Sequence, residues 1–160
     1  LAPRSKGSPL HLHRTIAETF RVEQGLLEME IGAAGAERTL FPGEQVELAP
    51  GTAHSFCNPL SEPVVFVSTA TPGVQFEKFL RAMYGLAADG RTNSDGMPTD
   101  PRALALTLHY ADLVVPAVPR GVQGALIGAL TGLARLTQLE RDFARYWPEA
   151  NSGVAMRGAA

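Results

Sequence analysis

Between about Glu18 and Thr71 the chain runs in short stretches rich in Val, Phe, Leu and Thr, broken by glycine turns, the pattern of an all-β meander. Stretches 19–23 and 26–31 flank Gln24-Gly25, which reads as a tight hairpin. Stretch 37–41 ends at Pro42-Gly43, and 45–48 precedes Pro50-Gly51, two further turn dipeptides. Stretches 53–57 and 63–70 complete the set; the second is a nearly continuous apolar run, suited to a strand buried in a sandwich. Strands this short and closely spaced predict a sandwich or barrel.

After Thr71-Pro72-Gly73 the period changes. Phe76, Phe79, Leu80, Met83, Tyr84 and Leu86 recur at helical spacing, on one face. A polar stretch over 88–100, with turn signals at Asp89-Gly90 and Asp95-Gly96, reads as a linker, with a lid over the barrel mouth as the alternative. Asp100-Pro101 has the form of an N-cap followed by proline at the first helical position. A helix is predicted over 104–115, until Pro116 and Pro119 stop it, and another over about 119–136. Thr137-Gln138-Leu139-Glu140 has capping-box spacing and should start a short last helix ending at Tyr146 or Trp147. The tail from Asn151 reads as frayed. The chain thus divides into a β part, 1–73, and a helical extension, 74–150, packed on or beside it.

Composition narrows the function classes. Of 160 residues 45% are apolar and 19% charged, enough for one domain with a proper core. A net charge of -2 without a basic face argues against a nucleic-acid partner. The single cysteine, Cys57, excludes a disulfide framework or a multi-cysteine zinc site. The longest charge-free stretches, of which 121–134 is one, have 14 residues, against roughly 20 needed to span a bilayer. The first nine residues carry no targeting pattern, and the opening leucine points to a start trimmed upstream, so that absence says little about location; the cytoplasm is the working expectation. Gly124, Gly128 and Gly132 recur every four residues beside Ala125 and Ala129. Such a stripe admits a second backbone closely: the chain's own barrel, a second copy in a homodimer, or an interfacial membrane contact.

The candidate chemistry lies in three of the four histidines. His11 and His13, two residues apart, project from one face of an extended strand. Glu18 follows after four residues, and His54 comes three residues after Gly51. Three neutral nitrogen donors and a carboxylate suit one divalent transition metal ion, with Fe, Mn, Ni and Zn all compatible. Up to two positions of an octahedral ion stay open to water, dioxygen or a chelating substrate. Strand alternation puts Phe20 and Val22 inward with Glu18, and Phe56 inward with His54, either lining a pocket or filling the core. Cys57 points the other way, and His109, on a predicted helix, reads as structural. Neither a Ser-His-Asp set nor a phosphate-cradling glycine loop stands out.

These residues resemble the two motifs of the cupin family. The first motif is glycine, five residues, His-x-His, three or four residues, glutamate, six residues, glycine. Gly7, His11, His13, Glu18 and Gly25 follow it, with three residues instead of five between Gly7 and His11. The second is glycine, five residues, Pro-x-Gly, two residues, histidine, three residues, asparagine. Gly43, Gly51, His54 and Asn58 match its spacing, while Ala49 stands in the proline position beside Pro50. The resemblance covers about residues 7–71. It implies a mainly β fold, a cupin-type double-stranded β-helix (jelly-roll) barrel followed by C-terminal α-helices, with at least one further strand ahead of the first motif. It also implies a metal bound by His11, His13, Glu18 and His54, and a small organic molecule as partner. Dioxygenase-like oxidation is the leading expectation, with isomerase, decarboxylase or cyclase chemistry behind it and Glu18 as candidate base. The competing expectation is a binding or sensing module without a reaction. A third is a vestigial site on a chain whose helical tail drives assembly.

Overall fold

A computed structural model describes residues 1–32 and 35–147. Among these residues, seven strands precede the first helix: β1 (Ser8–His13), β2 (Ala17–Gln24), β3 (Leu27–Ile31), β4 (Ala36–Leu40), β5 (Gln45–Leu48), β6 (His54–Cys57) and β7 (Val65–Thr71). Helices α1 (Val74–Ala88) and α2 (Pro101–Tyr110) follow, then a short strand, β8 (Leu113–Val114). Helix α3 (Arg120–Leu136), α4 (Leu139–Asp142) and a 3-10 turn (Phe143–Tyr146) end the described chain. The strands form two antiparallel sheets, ordered β4-β3-β6-β1-β8 and β5-β2-β7, as expected of a mainly β jelly-roll followed by helices.

Period-two alternation builds the core. In β2, Glu18, Phe20 and Val22 are buried while Arg21 and Glu23 are exposed, and β5 buries Val46 and Leu48 but not Gln45 or Glu47. Phe20, Val22, Leu27, Met29, Leu40, Val46, Leu48 and Val64 fill the space between the sheets, each stabilising the fold by roughly 1.5–3 kcal/mol if fully buried. Gly7 stands where only glycine fits: its φ is 58°, and a Cβ there would lie 2.0 Å from the Phe56 carbonyl oxygen. The shortened spacing between Gly7 and His11 coincides with a shift in the β1–β6 register between Ser8 and His11.

Several expectations change. The run over 63–70 does not become a buried strand: β7 is an edge strand, paired only with β2, and leaves Val65 and Val67 45% and 40% exposed. Asp100 does cap α2, its carboxylate accepting from the Arg102 main-chain N–H at 2.8 Å. That helix stops at Tyr110, however. Asp112 adopts a φ of 50°, and Leu113 and Val114 turn back to pair with His13 and Leu12 of β1. β-branched Val114 and Val115, ahead of Pro116, favour extended backbone, and the open edge of β1 supplies the partner. The capping box does not form: Gln138 takes the cap position in a left-handed conformation, Thr137 donates back to Leu133, and Glu140 pairs with Arg135.

A second core, including Leu86, Leu106, Tyr110, Ala134 and Phe143, joins the helices. Gly85 lets the Tyr146 ring lie against α1, since a Cβ would meet that ring at 2.2 Å. The glycine stripe of α3 does not pack on the barrel. A Cβ at Gly124, Gly128 or Gly132 would meet nothing within 4 Å, whereas Gln123, Thr131 and Ala134 form the buried face. Among the described residues no helix is long and apolar enough to cross a membrane. The tail from Asn151 lies outside the described residues.

Candidate metal centre

Strand geometry brings His11, His13, Glu18 and His54 together, with one potential ligand atom from each within 4.8 Å of the others. His11 and His13 lie on β1, Glu18 on β2, and His54 opens β6 directly opposite His11. All four are buried.

Each imidazole is oriented by the main chain. Nδ1 of His11 lies 2.8 Å from the Pro9 carbonyl oxygen, that of His13 2.6 Å from Ala111 and that of His54 3.0 Å from Thr52. A carbonyl oxygen only accepts, so these contacts place the proton on Nδ1 and leave each Nε2 a lone pair, those of His13 and His54 facing Glu18. Glu18 Oε2 lies 2.9 Å from His54 Nε2 and 3.3 Å from His13 Nε2. These three atoms are buried and lack any hydrogen bond of acceptable geometry despite the short distances. Buried acceptors crowded around one point are costly unless a cation joins them, so the donor set fits a metal ion.

The titration of the groups agrees. Burial, then the positive charge of His54, lowers the His11 pKa to about 4 against the Pro9 carbonyl, keeping the ring neutral near pH 7. Burial alone would raise Glu18, but His13 and His54 outweigh it and hold the carboxyl at about 2. Those rings act on Glu18 when they carry a proton on Nε2; a metal ion at that point has the same effect.

His11, His13 and Glu18 open onto a cavity of about 1220 Å³. Phe20 and Phe56 line it, as the alternation suggested, but Val22 does not: it is fully buried within the core between the sheets. Cys57 lies off the centre with its sulfur 3.8 Å from the Glu28 carboxylate, and burial followed by that carboxylate pushes its thiol pKa up. His109 is exposed on α2. Buried Asn58 ties down the chain start, its amide donating to Ala2 at 3.0 Å and Glu62 at 2.8 Å.

Sequence reading missed two participants. Ala111 acts through its carbonyl and therefore leaves no residue-type signal. Phe76, placed on a helical face by its spacing, sets its ring edge-on to His13 at 5.4 Å.

Residues 1–70 match the family model described as Cupin domain. Over 119 residues the chain is 36% identical to Oxidoreductase iacF of Pestalotiopsis fici (strain W106-1 / CGMCC3.15140), covering 68% of this chain and 55% of that protein. The chain therefore spans about half the length of this curated relative. Among solved structures, a protein with a double-stranded beta-helix domain from Klebsiella pneumoniae is 30% identical, with a TM-score of 0.41, covering 45% of this chain and 62% of that one. A sugar phosphate isomerase from the cupin superfamily of Silicibacter pomeroyi is 29% identical, with a TM-score of 0.41 and coverages of 44% and 45%.

Proposed function

Residues 1–70 of this chain are a cupin domain, and on that premise we propose that it binds one divalent transition metal ion through His11, His13, Glu18 and His54 to transform a small organic molecule. The observation that carries this reading is the set of three main-chain carbonyls, each placed to accept from a histidine Nδ1, beside one potential ligand atom from each of the four residues within 4.8 Å of the others. Iron, manganese, nickel and zinc all suit this donor set.

Such an ion supplies Lewis acidity or dioxygen activation. The protein supplies the rest. Glu18, the buried carboxylate of the cavity, offsets one positive charge and can accept a proton from a bound hydroxyl, with the Ser68 hydroxyl 3.5 Å from its Oε1. Phe20, Phe56 and Phe76 give the cavity an apolar lining beside these residues. Oxidation of the dioxygenase type leads because the curated relative is named an oxidoreductase; isomerase, decarboxylase and cyclase chemistry stand behind it.

The deciding experiment is elemental analysis of the protein beside His13→Ala, then oxygen uptake by iron-loaded protein with catechols, flavonols and diketones. Near-stoichiometric metal lost in the variant, with uptake on one compound class, is the expected result. Absence of metal after loading with iron, manganese and zinc would overturn the proposal. A non-catalytic binding or sensing module is the second reading. In its favour, the other carboxylate of the cavity, Glu77, is engaged by Arg81 at 2.7 Å and offers no free acid or base. Metal without turnover would favour it. The homodimer expected from the glycine stripe would use the outer face of α3, where Val122 and Leu126 are 61% and 59% exposed.

A further inference from the structure

Beyond the barrel floor, the cavity runs between β7 and α1. Phe66 and Ala70 form one wall; Phe79, Leu80 and Met83 form the other. Two apolar side chains of this helix are left substantially open, Leu80 at 39% and Tyr84 at 74% exposure. Contiguous open apolar surface beside a polar floor marks a ligand groove more often than a resting surface. Phe76 joins the two regions, edge-on to His13 and 5.4 Å from the Phe79 ring.

Charge restricts the ligand further. Among the described residues neither Lys nor Arg lines the cavity, and its carboxylates are Glu18 and Glu77. A phosphate or polycarboxylate brings two or more negative charges there with neither Lys nor Arg to meet them, which is costly. At the floor, a divalent ion held by three neutral imidazoles and one carboxylate keeps one uncompensated positive charge. A pair of adjacent oxygens, at least one of them a hydroxyl that loses its proton to solvent on binding, matches it. The volume of about 1220 Å³ exceeds that of an ordinary small-molecule pocket, up to roughly 1000 Å³, so the body of the ligand extends past a single ring.

We infer that the ligand of this site is a neutral, multi-ring or similarly bulky apolar compound bearing a vicinal pair of oxygen donors, and that α1 selects its body. The chelating end of this inference rests on the metal centre proposed above; the selection by α1 does not.

Calorimetry on the full chain separates the two. Zn(II) is titrated first, alone. The loaded protein then receives catechol, 2,3-dihydroxynaphthalene and fructose 6-phosphate. The naphthalenediol should bind at least about tenfold more tightly than catechol, because its second ring loses water against α1, and fructose 6-phosphate should bind more weakly than either. Leu80→Lys, at an exposed position that leaves folding intact, should erase the preference for the second ring while leaving Zn(II) affinity unchanged; Met83→Ser should reduce it. Equal affinity for the two diols, or fructose 6-phosphate binding as tightly as the naphthalenediol, would overturn the inference with the metal centre still standing. Failure of Zn(II) to bind would overturn the metal centre and the chelating end, whereas a naphthalenediol preference persisting without metal would uphold the role of α1. A loaded protein that is dimeric by light scattering and binds no probe would also overturn the inference, marking the groove as covered by a second copy.

Discussion

The main-chain oxygen of Ala111 accepts the Nδ1 proton of His13 at 2.6 Å, across 98 residues of sequence. Ala111 is the C-cap of α2, and Asp112 after it holds a left-handed φ of 50°. That conformation is clamped by Arg14, whose Nε donates to Asp112 at 2.6 Å, and by the Thr15 hydroxyl at 2.8 Å. On the far side, the Gln123 side chain of α3 accepts from Val115 at 3.1 Å and donates to Leu113 at 3.4 Å, occupying the outer edge of β8. The helical extension thus orients a candidate metal ligand of the barrel.

Loss of the Asp112 clamp should therefore be felt at the metal. Asp112→Ala is expected to lower metal affinity severalfold, short of the roughly 10- to 100-fold that loss of a ligand's direct partner costs, while Asp112→Asn, which can still accept from Thr15, loses less. Competition against a chromophoric chelator measures this; equal affinities in all three proteins would sink the link.

Glu18→Gln should separate metal binding from stability. The amide can donate to a histidine Nε2, relieving the crowded acceptors around Glu18 Oε2. Without metal at alkaline pH, where Nδ1 holds the single proton of each imidazole, the variant should melt at or above the wild type, yet hold less metal. A lower melting temperature in metal-free protein would show that the acceptors are not in conflict.

Acid should weaken the helical extension through Glu140. Burial pushes this carboxyl up, but Arg135 at 2.8 Å and the Tyr110 hydroxyl at 3.0 Å bring it below its ordinary value of 4.5. A pKa depressed by folding contributes stability above about 4.5 and loses it as pH falls through the folded value. Thermal melts of Glu140→Gln should lie below wild type at pH 7, and the gap should close in acid. A gap that widens in acid would contradict the sign.

Two glycines should respond in opposite directions. Gly7→Ala meets both a positive φ and the Phe56 carbonyl, and should cost at least about 2 kcal/mol in denaturant unfolding. Gly128→Ala, in a helix with open space at its Cβ, should stabilise the chain by about 0.5–1 kcal/mol. A destabilised Gly128→Ala would mean that another backbone packs there.

Light scattering tests the outer face of α3 directly. Leu126→Glu should convert a dimer to monomer without changing the metal content, because Leu126 lies outside the cavity lining. An unchanged dimer would move the interface elsewhere.

The sequence by itself determined what contiguous residues encode. Alternation in β2 announced its buried face, and Asp100-Pro101 announced the start of α2. The spacing of His11 and His13 put two donors on one face of a strand and Glu18 on the strand that follows, because side-chain direction follows strand period within a few residues; that the two strands lie in different sheets was not in the spacing. Only the tertiary structure decided the rest. Val65 and Val67 have the composition of buried residues, yet β7 lies at a sheet edge. Leu113 and Val114 continued a helical pattern, yet the open edge of β1 drew them into a sheet. Val22 shares the inward face of Phe20 but lies deeper, in the core. The contact between Ala111 and His13 had no signature at all: a main-chain carbonyl is the same in every residue, and packing over 98 positions, not local spacing, decides which one meets the imidazole.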